Sequence, residues 1–315
     1  MVSPEAKDEQ LKMWMGMLYV TGAALLWSTG GVFIKSISLD PFQISFWRAA
    51  FALATIIAVA KPTHLSYDPV TIISSLCYAA TLILFVLATK LTTAANAILL
   101  QYTAPIYILI LGRWILGERV TWLHIVTVAA SFAGMAIFFF DKLSPEGYTG
   151  NICAVLSGLG FGIFTLLLRK KRHEHPIDAV VLGNGWILLV CATIIMYQAS
   201  FDPKGMSNDD VLYGYAISTE DSIMVAFLGI LQIGIPYLLF TRGIQFIRAI
   251  DASLIAMLEP LLNPLWVFLF VGETPSLNAA IGGAIILAAV TLQSIWTSRS
   301  LNFKSPSGVE IPPAG

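Results

Sequence analysis

Charge is scarce in this sequence. Of its 315 residues only 12% are charged, 57% are hydrophobic, and the formal net charge is -1. A soluble domain carries about a quarter charged residues. The composition, with a mean hydropathy of +0.78, therefore excludes an ordinary soluble globule and points to a membrane protein. No basic patch with interleaved aromatics is present, so no nucleic-acid partner is expected. Cysteine is also rare: Cys77, Cys153 and Cys191 all lie in apolar runs. Their odd number and lack of metal-ligand spacing read as reduced core residues. No Walker lysine motif supports ATP hydrolysis. The glycines of GLGFG (158–162) follow no strand, so Gly158 and Gly162 read as a small-residue packing face and not as a nucleotide loop. No nucleophile–base pair or metal constellation is assembled. His173 and His175, two apart in the basic run RKKRHEHP (169–176), fit a topological anchor better than a metal site. Neither an enzyme nor a cofactor is expected.

What the chain does have is apolar length. A helix of about 18–20 apolar residues crosses the hydrocarbon core. Ten stretches qualify: 16–35, 42–60, 69–89, 95–116, 122–140, 150–168, 177–198, 222–241, 252–271 and 277–297. The expected fold is an all-α integral membrane protein. The first stretch is too long for a signal-peptide core and lacks a clear cleavage site, so it is expected to be retained. The polar ends, 1–15 and 298–315, read as tails, frayed toward the termini. Lys and Arg divide 13 to 4 between the loops on the side of the termini and those opposite, with Arg48 inside a span completing the 18. This bias places both termini in the cytoplasm and the acidic segment 201–221 outside, in a plasma-membrane protein.

The chain also repeats itself. ANAILLQYTAPIYILILGRWILGE (95–118) matches IDASLIAMLEPLLNPLWVFLFVGE (250–273), with Pro105 on Pro260, Gly117 on Gly272 and Glu118 on Glu273 at an offset of 155. Nearer the start of each half the offset is 134, as Gly16 with Trp27 falls on Gly150 with Phe161. The difference of 21 is about the length of the acidic insert. The halves are then 16–142 and 147–297. Five spans per half is an odd number, so the second copy crosses the membrane in the opposite sense. Inverted repeats of this kind are a recurrent architecture of secondary transporters, with the substrate site near the midplane between them.

The pattern resembles the ten-helix EamA-type exporters of the drug/metabolite transporter superfamily over nearly all of 16–297. It is carried by GAALLWSTGGVFIK (22–35), FWRAAFA (46–52), ATKLTTAANAILLQYTAPIY (88–107), LGERVT (116–121) and ASLIAMLEPLLNPLWVFLFVGE (252–273). The resemblance implies export of small metabolites, amino-acid-like or amphipathic, by alternating access, with the bilayer and the solute as partners. It does not choose a substrate.

Glu259 lies seven residues into its span, about 10 Å deep at 1.5 Å per residue. An ionisable group there costs a few kcal/mol and marks a pathway or proton relay. The alternative is a structural carboxylate serving backbone freed by Pro260 and Pro264. On a helix Ala252, Ala256, Glu259 and Asn263 share one face, matched by Ala97, Gln101, Ala104 and Ile108. Arg48 is the other charge within a span. It is expected to gate or anchor, and its counterpart in the second half is Gly183. Trp14, Trp114, Trp122 and Trp296, near span ends, read as interfacial belt. Trp27, Tyr78, Tyr102, Asn184, Trp186, Gln232 and Tyr237 sit at membrane depth. As a set they suit a cavity with apolar walls and a few polar groups. The expected substrate-binding residues are Trp27, Tyr78, Gln101, Tyr102, Trp186, Tyr237 and Asn263, with Glu259 carrying the proton if transport is coupled. The alternatives are an uncoupled facilitator or an uptake carrier of the same fold, ahead of a membrane enzyme or sensor. Glu118 and Glu273, at span ends, are expected in turns or caps.

Overall fold

The computed structural model describes residues 4–30, 33–34, 37–118, 120–143, 145–201, 217–262 and 276–302. Asn263, Glu273 and most of the acidic insert fall outside them. Among the described residues every regular element is a helix, with no strand. The helices are α1 (Pro4–Trp27), α2 (Pro41–Ala60), α3 (Pro69–Leu91), α4 (Ala94–Gln101), α5 (Ala104–Leu116), α6 (Trp122–Phe138), α7 (Tyr148–Lys170), α8 (Ile177–Phe201), α9 (Thr219–Phe227), α10 (Ile235–Gly243), α11 (Ala249–Ala256) and α12 (Leu277–Asn302).

Helix starts follow local chemistry. Asp40 accepts from the Phe42 amide at 2.8 Å while the Gln43 side chain accepts from the Asp40 amide at 3.3 Å, and Pro41 opens α2. Asp68 does the same work before Pro69, taking the amides of Val70 and Thr71. Such caps satisfy amides that have no partner within the helix. Gly117, at φ 67°, ends α5 in the left-handed conformation that suits glycine. α1 starts at Pro4, so helix runs through most of the expected tail, supported by an i,i+4 pair of Asp8 and Lys12 at 2.6 Å.

Seven helices among the described residues are long and apolar enough to cross a membrane, counting α4–α5 and α9–α10 as one each. α6, with 17 residues, is shorter. α1 begins in a polar stretch, and the expected span 252–271 runs beyond the described residues. Trp14, Trp114, Trp122 and Trp296 are all exposed, as belt residues would be.

Among the described residues, two spans break just ahead of a proline. α4 ends at Gln101 and α5 begins at Ala104, while α11 ends at Ala256 and helix resumes over 258–262. A proline follows each break, Pro105 and Pro260. Proline has no N–H to donate four residues back, and its ring crowds that carbonyl, here those of Gln101 and Ala256. A Cβ on Gly158 would lie 2.5 Å from the Gln101 carbonyl oxygen, so α7 packs directly against the first break. This is a packing use of the 158–162 glycines. The same close approach recurs where Gly16 and Gly243 let α1 lie against α10.

Candidate functional site

The broken spans frame a cavity of about 40 Å³ at the centre of the bundle. Its wall includes Trp27 of α1, Arg48 of α2, Leu82 and Phe85 of α3, Gln101 and Tyr102 at the first break, Phe161 of α7, Tyr237 of α10 and Glu259 after the second break. Gln232 and Ile233 come from a π-helical stretch, Leu228–Gly234, between α9 and α10. Of the residues expected to bind substrate, the structure gathers Trp27, Gln101, Tyr102 and Tyr237, along with Glu259.

The others stand elsewhere. Tyr78 is fully buried behind Tyr237, ring centres 4.7 Å apart, and its hydroxyl accepts from Asn184 Nδ2 at 3.0 Å. Trp186 donates through Nε1 to Ser75 Oγ at 3.1 Å and does not line the cavity. Asn263 lies outside the described residues. Ala97 and Ala256 are buried and are not part of the wall. The breaks interrupt the shared face, since Ala104 lies beyond the first and Glu259 beyond the second, whereas Ala97 and Gln101 stay together in α4.

Glu259 faces Tyr102. The Tyr102 hydroxyl lies 2.6 Å from Glu259 Oε2 and 2.8 Å from the Ala256 carbonyl oxygen, which Pro260 leaves without its usual donor. Gln101 donates to Ser157 Oγ at 3.1 Å, and that hydroxyl donates to the Thr81 carbonyl at 2.9 Å. Arg48 is only 3% exposed. Its Nη2 donates to Gln232 Oε1 at 2.6 Å, while its Nε has no partner. Arg48 and Glu259 line the same cavity without forming an ion pair.

Aromatic rings close one end of the cavity. Trp27 meets Tyr237 at 5.2 Å, Phe240 at 5.3 Å and Phe161 at 6.1 Å, and Phe164 stands 5.9 Å from Tyr237. Phe164 and Phe240 lie toward the Lys170 and Gly243 ends of α7 and α10, so this layer separates the cavity from that face.

At that face a second cavity of about 680 Å³ is lined by residues from both ends of the chain, including Lys12 and Thr297. Beside it Arg248 donates to Asp251 at 2.9 Å, Gln293 Nε2 donates to Asp251 at 3.0 Å, and Arg169 donates to the carbonyls of Ile244 and Gln245. Glu118 pairs with Arg169 at 3.5 Å instead of capping. Burial pushes the Glu118 carboxyl up despite the guanidinium beside it. Sequence reading missed Asp251 and Gln293. Asp251 sits one residue inside the repeated segment 250–273, and Gln293 is an uncharged residue in an apolar run.

Among the described residues no group of three or more His, Cys, Asp or Glu is placed to hold a metal. The three cysteines are free.

Similarity to known proteins agrees with this architecture. The sequence matches the EamA-like transporter family twice, over residues 14–140 and 148–295. It is 27% identical over 282 residues to an uncharacterized transporter of Archaeoglobus fulgidus, covering 89% of this chain and 96% of that one. It is 22% identical to the pseudopaline exporter CntI of Pseudomonas aeruginosa, over 87% and 94% of the two chains. A crystal structure with 20% sequence identity superposes with a TM-score of 0.73 over 89% of this chain and 97% of its own. Two family matches that together cover most of the sequence, on a helical frame with apolar spans around a largely apolar cavity that holds a few polar groups, make this chain a multi-pass membrane transporter of the EamA-like family and not an enzyme.

Proposed function

We propose that the protein is a secondary transporter that exports a small amino-acid-like or amphipathic solute across the plasma membrane by alternating access, coupled to protons through Glu259. The halves 16–142 and 147–297 act as inverted five-helix repeats, ten spans in all, with both ends of the chain cytoplasmic. Several observations support the repeat. The helix breaks at 102–103 and at 257 correspond at the offset of 155. Trp27 and Phe161, equivalent at the offset of 134, meet ring to ring. The 13-to-4 charge bias and the shared cavity of the two chain ends support the orientation. The aromatic layer then closes the cavity toward the cytoplasm.

One observation carries the coupling. The Tyr102 hydroxyl has a single proton and two acceptors within 2.8 Å. Both contacts are satisfied together only when the Glu259 carboxyl donates to Tyr102 Oη and Tyr102 donates to the Ala256 carbonyl. When Glu259 is ionised, one contact goes unmade. The proton on Glu259 thus decides how the second break is held, and that break borders the substrate cavity. An uncoupled facilitator, with Glu259 as a fixed part of the break, is the second reading that the same geometry allows.

Reconstitution separates the two. Amino acids, polyamines and amphipathic cations are offered to proteoliposomes with and without a pH gradient. In the coupled case Glu259→Gln abolishes uphill, pH-driven accumulation and keeps downhill exchange, and Glu259→Asp keeps a reduced, pH-dependent activity. A folded Glu259→Gln protein that still concentrates solute against its gradient would show that Glu259 is structural and does not carry the coupling, and a wild-type protein that moves solute only downhill, whatever the pH gradient, would establish the facilitator.

A further inference from the structure

A buried guanidinium without a counter-ion among the described residues is an unusual expense. Arg48 is 3% exposed at membrane depth, so it does not reach the interface by snorkelling. Leaving a charge in such surroundings without a partner costs several kcal/mol. Its environment is nonetheless built with care. Nη2 is held at 2.6 Å by the Gln232 amide oxygen, a neutral acceptor, and Nε is left with none.

Gln232 is itself placed deliberately. It sits in the π-helical stretch Leu228–Gly234, a distortion that often marks functional sites. The equivalent stretch of the first half, 73–79, is regular helix within α3. Gly30 makes room for it, since a Cβ there would meet three atoms of the Gln232 side chain at 2.7 Å. Gly229 packs in turn on the Arg48 carbonyl oxygen. At the position of the second half equivalent to Arg48 stands Gly183, packed on the Tyr78 ring. The cation therefore serves one place in the cavity and is no product of the repeat.

We infer that Arg48, oriented by Gln232, is the carboxylate-binding residue of the transport site. The solute carries a carboxylate on an aromatic or bulky apolar body. This rests on the transport function proposed above and adds the solute's chemical class. An incoming carboxylate supplies the acceptor that Nε lacks and the charge that the guanidinium lacks, and an arginine fork suits that planar anion. The remaining wall, Trp27, Phe85, Phe161 and Tyr237, accommodates the apolar body. The present cavity of about 40 Å³ holds a few waters at most, so the solute binds in a wider state.

The test measures the melting temperature of the purified full-length protein with millimolar indole-3-acetate or benzoate, against the matched amides indole-3-acetamide and benzamide and against chloride and inorganic phosphate. The carboxylates are expected to raise it by a few degrees, and the amides and inorganic ions are not. Arg48→Gln is expected to weaken the carboxylate effect at least about tenfold, as loss of a charged hydrogen bond does. Because Arg48→Gln risks misfolding, Gln232→Glu provides a second arm. It places a fixed acid 2.6 Å from Nη2, should fold at least as stably, and should lose the carboxylate response. Equal protection by the amides, protection by inorganic anions alone, no protection by any carboxylate, or an unchanged response in Gln232→Glu would each overturn the assignment. Counterflow of amines without carboxylates in proteoliposomes would overturn it while leaving transport intact. Absence of all counterflow despite carboxylate protection would instead count against transport.

Discussion

Tyr102 shows how much a single hydroxyl does here. It bridges the carbonyl of Ala256 and the carboxyl of Glu259 across the two broken spans. Removing the donor leaves a buried carbonyl unsatisfied, at a cost of about 1–3 kcal/mol. Tyr102→Phe is therefore expected to lower the melting temperature of the purified protein clearly. An unchanged value would mean that the Ala256 carbonyl finds another donor. Asp68 is the corresponding anchor outside the membrane. Burial pushes its carboxyl up, but hydrogen bonds from Thr71, Lys171 and Ser66 outweigh this and hold it far below the usual carboxylate range. A carboxyl depressed in the fold contributes stability above the ordinary value of about 4 and loses it as the pH falls further. Asp68→Asn should keep the helix cap and remove that part of the decline, read as a flatter melting temperature against pH below about 4. A wild-type slope in the variant would show that other carboxylates carry the acid sensitivity.

At the scale of elements, glycines decide which helices touch. A side chain at Gly158 would collide with the Gln101 carbonyl and with Thr103 Oγ1, 2.5 and 2.8 Å from its Cβ, and backbone does not yield as a flexible side chain does. Gly158→Leu should sharply reduce the yield of monodisperse protein. Ala97→Leu, buried away from the cavity wall, would test overpacking without touching the break. Wild-type yield for Gly158→Leu would show that α7 and the first break separate easily.

Much of this was legible in sequence, because hydrophobic length and the recurrence of Pro105 and Pro260 are one-dimensional signals. The position of Glu259 followed from them. What was not legible was direction. Helix-face arithmetic ran straight through Tyr102 and Met257, where the helices break, and so put Glu259 on one face with Ala252 and Ala256. It also could not show that Arg48 turns inward to Gln232, since the π-helical stretch that presents Gln232 leaves no pattern in hydropathy. Trp186 looked like cavity lining because it is aromatic and deep, but its indole is occupied by Ser75.

For the molecule as a whole, residues near both chain ends border one cavity. Reporters fused to either end should therefore report the same compartment, and opposite compartments would refute both the orientation and an even number of spans. A final consequence concerns the unequal halves. Two inverted copies with identical sequences would interconvert between end states of equal free energy, related by a two-fold axis in the membrane plane and with no preferred side. If the halves alternate as proposed, Arg48 opposite Gly183 and Glu259 opposite Ala104 lift that degeneracy, because each charge is carried by one half alone. Opening to one side then surrounds these charges differently from opening to the other. A difference of about 1.4 kcal/mol is enough to populate one orientation tenfold over the other, so in the proposed alternating-access cycle these two residues would give the empty carrier a resting side.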